Sequence, residues 1–311
     1  PFGMSSVYEY LSSVLWLKDS LIYLHFLSLI FLHFFFSFLY FQLFKSRNNS
    51  LKYSSLFILV YALLDNFGIN GGRNGFLYIQ EIGKQDIAVA VLFCFLSIVI
   101  LDSIIKSEIS NIDITITSLI VFFIFELKVS GVFIFYFFFV LIFLQLKKKK
   151  LTFSKLLKLQ LPTIFFGVVW TIKSILTTAC IIYPLTFTCF ENLSWAIPLQ
   201  QVDQMYLWYE QWSKGGAGPN FRVDNPEQYI QKFNWVDNWF NEYFFTKVSD
   251  FILGTIFVII IFISLFRSKN RRNNSFNGLG FIYILILFLF LEWFYNHPSL
   301  RYGGYSLIFL I

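Results

Sequence analysis

The sequence predicts an all-α fold: a polytopic transmembrane helix bundle of about eight spans, a truncated ninth, and amphipathic helices in one large outer loop. Three observations predict it. Composition comes first: 57% of the residues are hydrophobic, 14% are charged, and 43 of the 311 are Phe, well away from the usage of a soluble domain. Second, runs approaching the ~20 apolar residues that a helix needs to cross hydrocarbon recur at 21–44, 53–67, 87–105, 112–127, 130–146, 161–183, 250–266 and 279–295. Third, the connectors between the runs are of two kinds that alternate along the chain.

One kind is short and basic. With the connector bearing Lys45, Arg47 and Lys52 in the cytoplasm and each run crossing once, the cytoplasmic side also takes Lys106, Lys147 to Lys150, Lys155, Lys158, Arg267, Lys269, Arg271 and Arg272. Those residues make up fourteen of the 24 Lys and Arg, accompanied only by Asp102, Glu108 and Asp113. This is the asymmetry of the positive-inside rule. It predicts an integral membrane protein with segments 1–20, 65–86, 184–249 and 296–304 outside the cytoplasm. The net charge of +6 then reflects a basic cytoplasmic rim facing anionic lipid, with membrane lipids as partners and no nucleic acid. Lys147 to Lys150 follow a Phe-rich run directly and read as a stop-transfer anchor. The run 305–311 reads as the first third of a further span, and the chain opens on Pro1. Residues 1–311 are therefore expected to be a single transmembrane domain cut from a longer chain.

The other kind of connector is rich in Gly, Trp, Tyr and carboxylates. In the first, apolar positions Val7, Tyr8, Leu11, Val14 and Leu15 repeat at helical spacing, with Ser5 or Ser6 as a cap and Glu9 near a capping-box position. A helix lying in the membrane interface is expected. The second, DNFGINGGRNGFLYIQEIGKQD at 65–86, carries Gly68, Gly71, Gly72 and Gly75, which favour tight turns. Such turns present backbone N–H groups to an anion, with Arg73 and Lys84 beside them. The alternative is a plain connector, for which about 20 residues is long.

The third connector, 184–249, holds Trp195, Trp208, Trp212, Trp235 and Trp239, five of the eight Trp. Two amphipathic helices are expected, at 199–213 and 227–244, separated by KGGAGPN. Both should lie on the bilayer surface, where Trp and Tyr are favoured; aromatic rings also stack on sugar faces. The fourth, YNHPSLRYGGY, places His297, Arg301 and Tyr302 together. Arg makes forked contacts to phosphate that Lys does not, so either a lipid-phosphate contact or interfacial snorkelling fits.

Inside the runs, ionisable groups are scarce. Asp65, Asp86, Glu126, Asp250 and Glu292 fall near run ends, and only Lys173 sits within one, which argues against a proton pump. His25, His33 and His297 form no metal-ligand set, so no cofactor is expected, although a divalent metal stays open. Cys180 and Cys189, nine positions apart around Pro184, are a possible disulfide in an oxidising exterior.

Four segments carry a resemblance: PFGMSSVYEYLSSVLWL, INGGRNG with IGKQD, IKSILTTACIIYPLTFTCFENLSW, and HPSLRYGGY. Together they cover about a quarter of the chain, and it resembles polytopic bacterial membrane proteins of surface-polysaccharide biosynthesis, of the GT-C glycosyltransferase or polymerase-like type. The resemblance implies a polyprenyl-phosphate-linked sugar donor and a glycan acceptor, handled on the outer side of the plasma membrane. It also implies an Asp or Glu base, often in the first outer loop. Within this chain Asp65 and Asp86 are the catalytic candidates, although the expected base can precede Pro1. Arg73, Lys84, His297, Arg301 and Tyr302 are the phosphate-binding candidates. The competing expectations are a lipid-linked sugar transporter or flippase, which should show internal repeats, and a structural subunit of an organellar respiratory membrane complex.

Overall fold

The computed structural model of the chain describes residues 6–16, 22–67, 85–106, 109–148, 150–215, 223–266, 279–296, 298 and 299. They form helices α1 (Val7–Val14), α2 (Ile22–Lys45), α3 (Asn49–Phe67), α4 (Asp86–Lys106), α5 (Asn111–Leu127), α6 (Phe133–Lys147), α7 (Phe153–Thr178), α8 (Leu199–Ser213), α9 (Pro226–Ile230), α10 (Val236–Trp239), α11 (Ser249–Phe266) and α12 (Leu279–Asn296). The all-α expectation holds.

The span count does not. Among the described residues, three stretches are long and apolar enough to cross a membrane: Ile22–Lys45, Asp86–Ser103 and Phe153–Thr178. They replace the expected eight spans and a ninth. The reason is that an apolar run and a helix do not end together. α6 has 15 residues, roughly 22 Å of helix, against a hydrocarbon core of about 30 Å. The described apolar stretches Leu51–Val60, Ile252–Leu265 and Tyr283–Asn296 are likewise short, and 305–311 lies outside the described residues.

Between α5 and α6, Lys128 turns to an extended conformation and Val129–Val132 form one 3₁₀ turn, which stops both helices. Gly131 is needed there. A Cβ at this position would lie 2.6 Å from Ile124 Cγ2 and 2.9 Å from the Ile124 carbonyl oxygen.

α4 is the axis of the assembly. Ile87 to Val91 are almost fully buried, and α2, α3, α5 and α6 all pack on α4. Ala88 and Ala90, with no rotamers to lose, let neighbours approach closely. Aromatic edges fill the seams: Phe38 meets Phe95 with ring centroids 4.7 Å apart, and Phe93 meets Phe137 at 6.0 Å. α7 packs on α5 through polar contacts, with Ser118 Oγ 2.8 Å from Thr163 Oγ1 and Thr115 Oγ1 donating to the Leu159 carbonyl at 3.1 Å. Elsewhere α7 exposes Leu161, Ile164, Phe165, Val168, Ile172 and Leu176, an apolar face suited to lipid.

These contacts give the bundle two distinct ends. Gln42, Asp102, Asn111, Gln145 and Leu151 meet at the lysine-rich end. Asp86, Lys128, Tyr10 and Lys173 meet at the other. α1 joins that second end, with the Tyr8 hydroxyl 3.1 Å from Ser28 Oγ of α2. Ser6 does take the N-cap position, but its side chain makes no capping hydrogen bond.

α7 ends on Ala179 in the left-handed region, φ 58°, and the chain folds back as a tight turn in which Phe190 N donates to the Ala179 carbonyl at 2.8 Å. Beyond it, α8 forms where its amphipathic pattern predicted. The second expected helix is broken instead. α9 ends at Ile230, Lys232 takes φ 53°, and α10 passes through a π-helical stretch, Phe240–Val248, into α11. We refer to this 180–248 region, with the residues it holds, as the cap.

Candidate functional site

All five phosphate-binding candidates, Arg73, Lys84, His297, Arg301 and Tyr302, lie outside the described residues, as does the turn between Gly68 and Lys84. Asp65 is in the last two turns of α3, with its side chain outside the description. Asp86 is placed: it opens α4 and accepts from the Lys128 ammonium, both side chains being largely buried at 15% and 9% exposure. A carboxylate at a helix N-terminus is stabilised by the helix dipole, and an adjacent ammonium stabilises its charge further.

A second acid at the same end has the opposite environment. Glu126, on the last turn of α5, is half-buried, and burial pushes its carboxyl up to about 7 against the pull of the Lys173 ammonium. Lys173 also acts on Glu9 of α1, whose carboxyl burial likewise raises, and its Nζ stands 4.7 Å from the centroid of the Tyr10 ring. Lys173 of α7 thus acts electrostatically on one carboxyl of α1 and one of α5. A carboxyl that titrates near neutrality is suited to taking and returning a proton. Sequence reasoning passed over Glu126 because it reads as one more acid at a run end. The usable signal was Lys173, the single cation inside an apolar run.

The cap holds its own polar node. Lys214, 1% exposed, donates to Glu210 Oε1 at 2.5 Å and to the Ile230 carbonyl at 3.3 Å. Its Nζ lies 5.3 Å and 5.5 Å from the ring centroids of Trp235 and Tyr295. The Tyr229 hydroxyl donates to the Lys214 carbonyl at 2.8 Å, and Asn238 Nδ2 donates to that hydroxyl and to the Gly215 carbonyl. Beside this node, burial and the carboxylates of Glu210, Asp203 and Glu292 push the Tyr206 phenol upward. Gln211, wholly buried, has no hydrogen-bond partner for either amide atom among the described residues.

Trp235, Trp239 and Trp293 are buried together. Trp239 Nε1 donates to the Pro298 carbonyl at 2.9 Å and Trp293 Nε1 to the Ser299 carbonyl at 2.8 Å. Trp235 and Trp239 are therefore structural, and not rings free to stack on a sugar. Trp195 is exposed, and Trp208 and Trp212 are part-exposed. The same cap carries the Cys180–Cys189 disulfide, S–S 2.07 Å.

A family model described as Domain of unknown function (DUF8201) matches residues 1–308. The chain belongs to that family. No curated protein and no solved structure matches it. Membership in DUF8201, whose function is unknown, together with three helices of membrane length instead of a polytopic bundle, overturns the resemblance to GT-C-type surface-polysaccharide enzymes. What stands for this DUF8201 chain is coarser: a largely α-helical protein with apolar helices of membrane length and general membrane-protein character.

Proposed function

We propose that the protein is a membrane glycosyltransferase or polysaccharide polymerase that uses a polyprenyl-phosphate-linked sugar at the outer face of a bacterial plasma membrane. The observation that carries the reading is the half-buried Glu126 carboxyl, which burial raises to about 7 against the pull of the Lys173 ammonium. Glu126 replaces Asp86 as the expected base, because Asp86 is held as an ion pair. In the proposed step the acceptor hydroxyl oxygen bonds to the anomeric carbon and passes its proton to the Glu126 carboxylate. The bond from that carbon to the phosphate oxygen breaks, and its electron pair leaves on the phosphate. Lys173 steadies the charge that develops there, and Arg73, Lys84 and Arg301 are the further phosphate contacts proposed. The disulfide in the cap supports an oxidising, extracytoplasmic setting for this end.

The test is transfer of radiolabelled sugar from a polyprenyl-phosphate donor to a glycan acceptor in proteoliposomes. Glu126→Gln should lower turnover at least about 100-fold with little change in donor affinity, and Glu126→Asp should restore part of it. Full turnover by Glu126→Gln would remove the assignment.

A further inference from the structure

The loop that follows α7 carries an exposed apolar surface of its own. No Asp, Glu, Lys or Arg occurs between Lys173 and Glu191, so the charge-free stretch runs well past the end of α7 at Thr178. The chain then closes on itself through the Cys180–Cys189 disulfide. Phe187, within the closed loop, is 85% exposed, and Ile181 and Phe190 are exposed as well. Large apolar side chains left bare together mark a contact with a membrane or another protein.

Three features commit the surface to lipid. The first is its level. Counted back from Thr178, roughly 27 Å of helix reaches Leu161, just beyond Lys158, against a hydrocarbon core of about 30 Å. The loop therefore begins where hydrocarbon ends, in the leaflet away from the lysine-rich end. Trp195 marks the same level: exposed, it donates through Nε1 to the Ile175 carbonyl in the last turn of α7 at 3.0 Å, and Trp favours the headgroup boundary.

The second feature is the backbone. The N–H groups of Ile181, Ile182, Leu185, Thr188, Cys189 and Phe190 all donate to acceptors between Ala179 and Thr188. The Thr188 hydroxyl donates to the Leu185 carbonyl at 2.7 Å and to the Ile182 carbonyl at 3.0 Å. A segment whose donors are satisfied internally can sit where water is scarce. The third is continuity with the apolar face of α7. Leu176, less than two turns before Cys180, is exposed like Ile172 and Val168 before it.

We propose that the Cys180–Cys189 loop is a wedge seated in the lipid leaflet, with Phe187 among the lipids, fixing the cap to the membrane beside α7. This attachment is independent of the activity proposed for Glu126.

The test places the photoreactive residue p-benzoylphenylalanine at position 187 of the full chain. Because Phe187 is exposed, the larger ring meets no packed neighbour. The protein is reconstituted in vesicles of phosphatidylethanolamine and phosphatidylglycerol containing phospholipid tritiated in its acyl chains, and irradiated. The same residue at position 203, where Asp203 is exposed on α8, is the reference. Position 187 should capture at least about fivefold more labelled lipid than position 203. A smaller ratio overturns the proposal. So does a main product that joins two copies of the chain through position 187, which would make the loop a protein contact instead.

Discussion

Lys214 and Glu210 form an ion pair one turn apart at the end of α8, with the ammonium buried against the ring of Trp235. The pair joins α8 to α9 and to Tyr295 of α12 through a single buried charge. Removing one partner strands the other. Lys214→Met should destabilise the protein by about 3–5 kcal/mol, while Lys214→Met combined with Glu210→Leu should recover most of the loss. Thermal unfolding in detergent measures both; equal melting temperatures for wild type and Lys214→Met would show that the pair is dispensable.

Gln211, the next residue along α8, is wholly buried with both amide atoms unpartnered among the described residues. Gln211→Leu keeps much of the volume and deletes the orphaned groups. A gain of about 1 kcal/mol or more is expected. A loss of stability in the same unfolding assay would count against the amide being unsatisfied.

Glu126 predicts a pH dependence. Its carboxyl is raised from 4.5 to about 7 in the folded protein, so folding favours the protonated form. The stability this contributes is full below about 4.5 and is lost as pH climbs through about 7. The melting temperature should therefore fall between about pH 5 and pH 8, and Glu126→Gln should flatten that part of the curve. An unchanged slope in the variant would assign the dependence to other groups.

The Cys180–Cys189 bridge closes a short loop, with a sequence separation of nine. Replacing both by Ser should cost about 2–3 kcal/mol, from the chain entropy regained on unfolding. Thiol labelling of the native protein under non-reducing conditions should find at most Cys94, the buried free cysteine. Labelling at position 180 or 189 in freshly purified protein would place the cap in a reducing compartment.

The chain is legible where polar and apolar residues alternate and illegible where they do not. α8 follows its pattern from Leu199 to Ser213 because Val202 turns inward while Gln201 and Asp203 face out. The start of α6 is harder to read. The run at 130–146 opens on Ser130, Gly131 and Val132, which belong to the 3₁₀ turn before α6 begins at Phe133, so a hydropathy pattern counts length that the helix lacks. The second cap helix was misjudged for a related reason. The periodicity of Ile230, Phe233 and Val236 is helical, but the backbone leaves the helix at Gln231 and re-enters at Val236. Of the site, Lys173 stood out as a cation among apolar neighbours. Glu126 did not, because its raised titration arises from burial that only the packed helices create.

α4 is the most apolar of the three helices of membrane length, and also the one most enclosed by its neighbours. During synthesis it emerges before α5, α6 and α7 exist to surround it, so its first solvent is lipid. Maturation then exchanges lipid tails for side chains around a helix whose Ala88 and Ala90 offer them no bulk to grip. A nascent chain halted at Lys106 would insert and wait, anchored but unassembled.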